Sequence, residues 1–164
     1  MTKTLKFYVI SLATITTTIA MISPAIASRS EPIPLYGSYT RDLDRSKQTF
    51  NGHLNSNSRP SKQKENFSTV CEASGCVART PNLYAPPGAP KFIEYQWMNN
   101  RWELKADHFF NCNDGSKVNS TLFEFFTSNG DGSFSGERSI TIGGAGCPGE
   151  GPGIYRIPFK LIPI

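Results

Sequence analysis

Residues 91–110, KFIEYQWMNNRWELKADHFF, hold two alternating segments around a two-residue turn, and this pattern decides the fold. Ile93, Tyr95 and Trp97 share one face of the first segment. In the second segment, the residues on one face are Trp102, Leu104, Ala106, His108 and Phe110. A period of two is typical of a β-strand. Because Asn tolerates positive φ, Asn99-Asn100 suits a tight hairpin turn. The stretch therefore predicts an antiparallel hairpin.

Further strands follow this hairpin, separated by turns rich in Gly and Asn. We predict them over residues 121–126, 133–142 and 154–162, with two shorter strands at 67–70 and 76–78. Pro158 and Pro163 predict that the last strand lies at an edge of the sheet, because proline cannot donate to a strand ladder. The prediction is an all-β fold: a small antiparallel meander of about five to seven strands that forms a sandwich or partly open barrel.

Four cysteines, Cys71, Cys76, Cys112 and Cys147, predict two disulfides. The strand directions bring the loops after the second and fourth strands of the core to the same end of the sheet. This favours Cys112–Cys147 and leaves Cys71–Cys76 as a local link. A zinc site is the alternative, but Cys112 and Cys147 do not stand in the close pairs typical of zinc ligands. We expect no metal site.

Three segments differ in composition. Residues 1–27 have a basic start, an apolar run and a small-residue cleavage pattern, which predict a cleavable signal peptide. Residues 28–66 are polar and poor in large apolar side chains, which predicts a flexible tail or linker. Residues 67–164 hold most of the aromatic residues and form the predicted disulfide-bonded domain. The expected location is secreted or periplasmic, with no membrane span after signal cleavage.

Charge and glycine motifs exclude two classes of ligand. The formal net charge of +4 includes two signal lysines, and the small excess that remains opposes nucleic-acid binding. Residues 144–149 match G-x-G-x-x-G, but Pro148 and the neighbouring glycines oppose the helix that a dinucleotide site requires. We therefore expect no cofactor. Residues 129–137 are similar to the start of a calcium loop, yet Phe134 stands where glycine belongs, which favours a plain hairpin turn.

Candidate binding residues lie at the first hairpin and in two loops. Trp97 and Trp102 flank the hairpin turn, where they would form either core or an aromatic platform for a sugar. Loops 111–117 and 143–153 would form one surface if Cys112 and Cys147 are joined, and their polar side chains Asn113, Asp114 and Glu150 are the candidate binding groups.

The sequence predicts no catalytic residue. Glu124 lies between phenylalanines and would have a raised pKa if it pointed inward among them. We instead predict that it lies on a solvated face with Leu122 and Phe126. His108 shares a strand face with apolar residues and is interpreted as structural.

These features favour a non-catalytic binding module for a surface glycan or another protein. A first alternative is an inhibitor of an extracellular hydrolase that presents residues 143–153 as a rigid loop. A second is a small hydrolase that uses His108 and a carboxylate. The sequence leaves the ligand and the oligomeric state open.

Overall fold

Ten β-strands form most of the part of the chain that this computed structural model describes, namely residues 31–56, 61–83, 85 and 87–164. The strands are β1 Gly37–Leu43, β2 Thr49–Phe50, β3 His53–Leu54, β4 Ser61–Glu72, β5 Gly75–Pro81, β6 Phe92–Met98, β7 Arg101–Asn111, β8 Lys117–Ser128, β9 Phe134–Cys147 and β10 Gly151–Pro163. A 3₁₀ turn, Arg45–Lys47, connects β1 to β2. Within these ranges no helix is long and apolar enough to cross a membrane.

The strands close into an antiparallel barrel. From β4 to β10, each strand pairs with the next one in sequence, so the predicted meander is confirmed. β1 pairs with both β4 and β10 and thereby closes the ring. The barrel has eight strands, with the short β2–β3 hairpin added beside β10. The count exceeds the predicted five to seven because β1 comes from the segment that composition assigned to a tail.

The prediction of a flexible tail over residues 28–66 is wrong for the part that the structure describes. β1 and the first half of β4 lie within it, and they pair along the whole of β1, from Gly37 to Leu43. Tyr39, Arg41 and Leu43 alternate inward and are buried. A polar segment can form this strand because its one inward charge is neutralised inside the barrel. The predicted signal peptide, residues 1–27, lies outside the described residues.

The last strand, β10, is not the edge strand that its prolines predicted. It pairs with β9 along most of its length, with β1 from Phe159 onward, and with β2 at Tyr155 and Arg156. The carbonyl of Pro158 accepts a hydrogen bond from the Asp44 amide at 2.9 Å. In a strand the N–H and C=O of one residue point the same way, so the missing N–H of Pro158 faces the 3₁₀ turn between β1 and β2, where the ladder is interrupted.

Two apolar clusters fill the interior. The barrel cluster is built mainly from aromatic and aliphatic side chains on the inner faces, together with Leu35 from the segment before β1. The second cluster lies where β7 to β10 extend beyond the other strands, and its buried members are Cys112, Ile142, Cys147 and Tyr155. This second cluster therefore packs beneath the loops at that end of β7 to β10, apart from the barrel cluster.

Two local predictions are confirmed by the backbone and the cysteines. Asn99 and Asn100 form the β6–β7 turn with φ of 52° and 60°, the left-handed values that a two-residue hairpin needs. The disulfides are Cys71–Cys76 and Cys112–Cys147, as the strand directions predicted.

Candidate binding surface

The Cys112–Cys147 disulfide joins the β7–β8 turn to the end of β9, and we call this region, residues 111–117 and 143–153, the bridged end. The two Cα atoms are 5.6 Å apart. Across the junction, Asn113 Nδ2 donates to Glu150 Oε1, and Tyr155 OH donates to Glu150 Oε2 at 3.1 Å. The predicted joining of these two loops into one surface is present in the structure.

Local hydrogen bonds fix the β7–β8 turn itself. Asp114 Oδ1 accepts from the Ser116 backbone amide at 3.0 Å and from the Ser116 hydroxyl at 2.7 Å. These bonds lower the pKa of Asp114, so the carboxylate is ionised at neutral pH. Asp114 is exposed and presents its charge to solvent.

Aromatic rings support the bridged end from the inner face of the sheet. Tyr155 stacks on Phe110, with the two ring centroids 5.2 Å apart. The ring of Phe50 also packs against Tyr155, with a centroid distance of 4.6 Å. Burial, and then the hydrogen bond to Glu150 and its charge, raise the pKa of Tyr155, so its hydroxyl stays a donor. The loops therefore rest on a packed base, which favours a fixed binding geometry over an adaptable one.

Residues 143–153 differ from the loop that we predicted. Most of them belong to β9 and β10, and the register shifts between Gly151 and Gly153, so residues 143–146 bulge from the ladder. Gly146 has φ of 70°, and a Cβ there would lie 1.9 Å from the carbonyl carbon of Gly151. Only glycine fits this crossing, which makes the bulge a defined feature.

A shallow groove lies on the outer face of β7, β8 and β9 beside the bridged end, and we call it the Phe109 groove. Its volume is about 580 Å³, and the residues that line it are Asp107, His108, Phe109, Asn119, Ser120, Thr121, Thr141 and Gly143. Cross-strand register places Phe109 opposite Asn119, and Asp107, Thr121 and Thr141 in one row. The Phe109 side chain is 65% exposed. The groove thus combines an exposed ring with carboxylate, amide and hydroxyl groups.

The two tryptophans belong to the core. Trp102 is fully buried and donates from Nε1 to the carbonyl of Ile33 at 3.1 Å. Trp97 is partly buried and packs edge-on against Trp102 with centroids 5.3 Å apart. The interpretation of Trp102 as a binding residue is therefore wrong, because a fully buried ring cannot contact a ligand. The core alternative accounts for both.

Glu124 does not lie on a solvated face as predicted. It is 1% exposed, and Phe126 in the same phase is fully buried. Glu124 Oε2 accepts from Arg41 Nη1 and from Tyr95 OH, each at 2.7 Å, while Arg138 Nε donates to Oε1. The inner face of the closed barrel shields Glu124 from bulk solvent, so the carboxylate depends on protein partners.

Arg41 is the centre of this buried ionic cluster. It is 1% exposed, and its Nε and Nη2 donate to the two carboxylate oxygens of Glu65 at 2.7 and 3.0 Å. Nη2 also donates to Tyr95 OH at 2.8 Å. The sequence analysis did not identify Arg41 or Glu65, because their partners come from other strands of the barrel. A charged residue in phase with Tyr39 and Leu43 was the one available sign.

The electrostatics of the cluster oppose acid catalysis by Glu124. Burial alone would raise the pKa of Glu124, but the charges of Arg41 and Arg138 and the hydrogen bonds to the carboxylate lower it to about 2. Glu124 is therefore ionised and fully engaged. A general acid must be protonated near neutral pH, and Glu124 is not.

His108 stands apart from Glu124, the buried carboxylate on the neighbouring strand. It pairs with Ser120 in register, whereas Glu124 pairs with Leu104, four positions along β7 and roughly 13 Å away. Burial and the charge of Arg138 lower the pKa of His108. Among the described residues, no cluster of three or more His, Cys, Asp or Glu side chains could hold a metal ion.

Comparisons with known proteins give one family. Residues 31–162 match the family model for the PknI serine/threonine-protein kinase sensor domain. No curated protein sequence matches the chain. Among solved structures, a chain described as the monomer form of the M. tuberculosis PknI sensor domain is similar, with a TM-score of 0.65 and 18% identity. The match covers 82% of this chain and 90% of that chain, and at this identity it shows a shared fold.

Proposed function

The chain belongs to the PknI serine/threonine-protein kinase sensor domain family, and from this premise we propose that it is an exported, non-catalytic binding module. Its ligand is a surface glycan, and the binding surface consists of the bridged end and the adjoining Phe109 groove. The two disulfides support export, because such bonds persist in oxidising compartments.

The filled barrel interior supports recognition on the outer surface. Trp102, Phe126 and Leu161 are fully buried there, and the inward charges are paired with one another. Proteins that bind small ligands inside a barrel keep a cavity of several hundred cubic ångströms for them. This barrel uses that space for side chains, so ligand contacts fall to the strand ends and the outer face.

The exposed ring of Phe109 among polar groups is the observation that carries the choice of a glycan. A sugar presents both hydroxyl groups and an apolar C–H face. Asp107 and Asn119 offer an acceptor and an amide for the hydroxyls, and the Phe109 ring offers a flat apolar surface. Asn113 and Glu150 extend the polar surface across the disulfide.

The arrangement of ionisable groups supports a module without catalysis. His108 has no carboxylate partner among the described residues, and Glu124 is locked by two arginines and a tyrosine. A nucleophile, a base and an orienting group would have to meet within hydrogen-bond reach for hydrolysis. Their separation supports binding as the activity.

A titration of the purified full chain with a panel of soluble oligosaccharides tests this proposal. Phe109→Ala should weaken binding by about fivefold or more, since aromatic contacts contribute about 0.5–1.5 kcal/mol beyond their buried area. Phe92→Ala is the matched control, because Phe92 is 49% exposed on a different strand. Equal losses in both variants, or no oligosaccharide binding at all, would contradict the proposal.

Inhibition of an extracellular hydrolase is the second candidate. The bulge at residues 143–146, fixed by the Gly146–Gly151 crossing and the disulfide, supports it, because a rigid loop loses little entropy when it enters an active site. Incubation with a panel of secreted proteases separates the two candidates. An absence of inhibition at micromolar concentration would remove this one.

A further inference from the structure

A second groove lies between the 3₁₀ turn and the outer face of β9 and β10, and we call it the Arg45 groove. Its volume is about 540 Å³. The side chains and backbone that line it are Asp42, Leu43, Asp44, Arg45, Ser46, Lys47, Ser135, Gly136, Pro158, Phe159 and Lys160. It shares no residue with the Phe109 groove.

The guanidinium of Arg45 has an unused donor. Its Nε is buried and has no hydrogen-bond partner, and among the described side chains no other buried nitrogen or oxygen atom is in this position. A buried donor left unpaired loses its hydration without compensation. The terminal nitrogens Nη1 and Nη2 form no hydrogen bond among the described residues and are not buried, so a ligand in the open groove can reach them.

The charge around Arg45 favours an anion. Both acidic side chains in the lining are already neutralised: Asp44 by Lys47, with N and O 3.0 Å apart, and Asp42 by Lys62 at 3.4 Å. Arg45 and Lys160 form no ion pair within the described part of the chain. Two cations without an ion pair within 4.0 Å therefore line one groove, and the charge of Lys160 also acts on Asp131 outside it.

We propose that the Arg45 groove binds a phosphate-type oxyanion, either free phosphate or a phosphate ester. The accessible Nη groups of Arg45 donate a charge-assisted hydrogen bond to the ligand, and the ammonium of Lys160 supplies the second positive charge. The planar guanidinium fits the oxygens of a tetrahedral anion, and the hydroxyl of Ser135 in the lining is a further donor. The proposal is independent of glycan binding at the bridged end.

The direct test observes the Arg45 side chain in the unaltered full chain. The ¹H–¹⁵N resonances of the Arg45 guanidinium should shift saturably when inorganic phosphate is added, because its Nη donors gain an acceptor. A parallel titration with glycerol phosphate distinguishes a free ion from an ester. Tighter binding of the ester indicates a ligand that carries an esterified phosphate group, whereas equal or weaker binding indicates the free ion. Absence of a saturable shift with either compound overturns the proposal.

Matched variants locate the site. Arg45→Ala should weaken phosphate binding by about tenfold, the effect of one charge-assisted hydrogen bond. Arg45→Lys should recover only part of this loss, because lysine lacks the fixed fork of arginine. Lys105→Ala removes one exposed positive charge from the outer face of β7, outside the groove, and should leave binding unchanged. Equal weakening by Lys105→Ala would show a nonspecific charge effect and overturn the assignment.

Discussion

Replacement of Arg41 by methionine should strongly destabilise the barrel. Methionine preserves much of the aliphatic volume but removes the charge that Glu65 and Glu124 share. It also removes the guanidinium from its position over the Phe159 ring, 4.6 Å from the centroid. Removing one partner of a buried ion pair costs about 3–5 kcal/mol, because the other charge stays buried and unpaired. We expect the free energy of unfolding to fall by about 4 kcal/mol.

Urea unfolding at pH 7 with both disulfides intact measures this loss. Arg156→Met is the matched control, because the Arg156–Glu137 pair lies on the outer face with side-chain exposures of 53% and 29%. An exposed pair contributes at most about 1 kcal/mol. Addition of Glu124→Gln to Arg41→Met should recover part of the loss, since the amide carries no charge. A cost for Arg41→Met no larger than that of Arg156→Met would mean that the buried ion pairs of Arg41 do not stabilise the barrel.

The remaining predictions concern acid and the disulfides. The pKa of Glu124 in the folded protein is about 2, below its ordinary 4.5, so its stabilisation is complete above about pH 5 and is lost as the pH falls towards 2. Urea titrations across this range should show a decrease of about 3 kcal/mol from this group; a free energy of unfolding independent of pH would contradict it. Replacement of Cys112 and Cys147 by serine should cost about 4 kcal/mol, and replacement of Cys71 and Cys76 about 2, because the closed loops differ in length. Equal losses in thermal unfolding would contradict that ranking.

Sequence alone was sufficient where structure depends on neighbours along the chain. The alternation around Asn99 and Asn100 identified a hairpin, since positive φ and a period of two are local properties. The disulfide pairing followed from counting strand directions, which also needs no tertiary information. For the same reason residues 113, 114 and 150 were correctly brought together at one end.

Sequence reasoning failed where distant segments supply the partners. Arg41 is acceptable inside the barrel only because Glu65 and Glu124 approach it from β4 and β8. Composition therefore assigned its strand to a solvated tail. The burial of Glu124 was missed for the same reason, because its partners also lie on other strands. The prediction from Pro158 was wrong because a proline fits within β10 when the ladder opposite it is interrupted, here by the 3₁₀ turn after β1.

Amide chemical-shift mapping during titration with an oligosaccharide that binds would locate the ligand on the barrel. We predict that the shifts cluster at the Phe109 groove and the bridged end, within residues 107–121 and 141–150. Amides of β1, β4 and β5, on other parts of the barrel, should stay unchanged. Shifts centred on those strands would instead mean that the ligand is recognised away from the disulfide-joined loops.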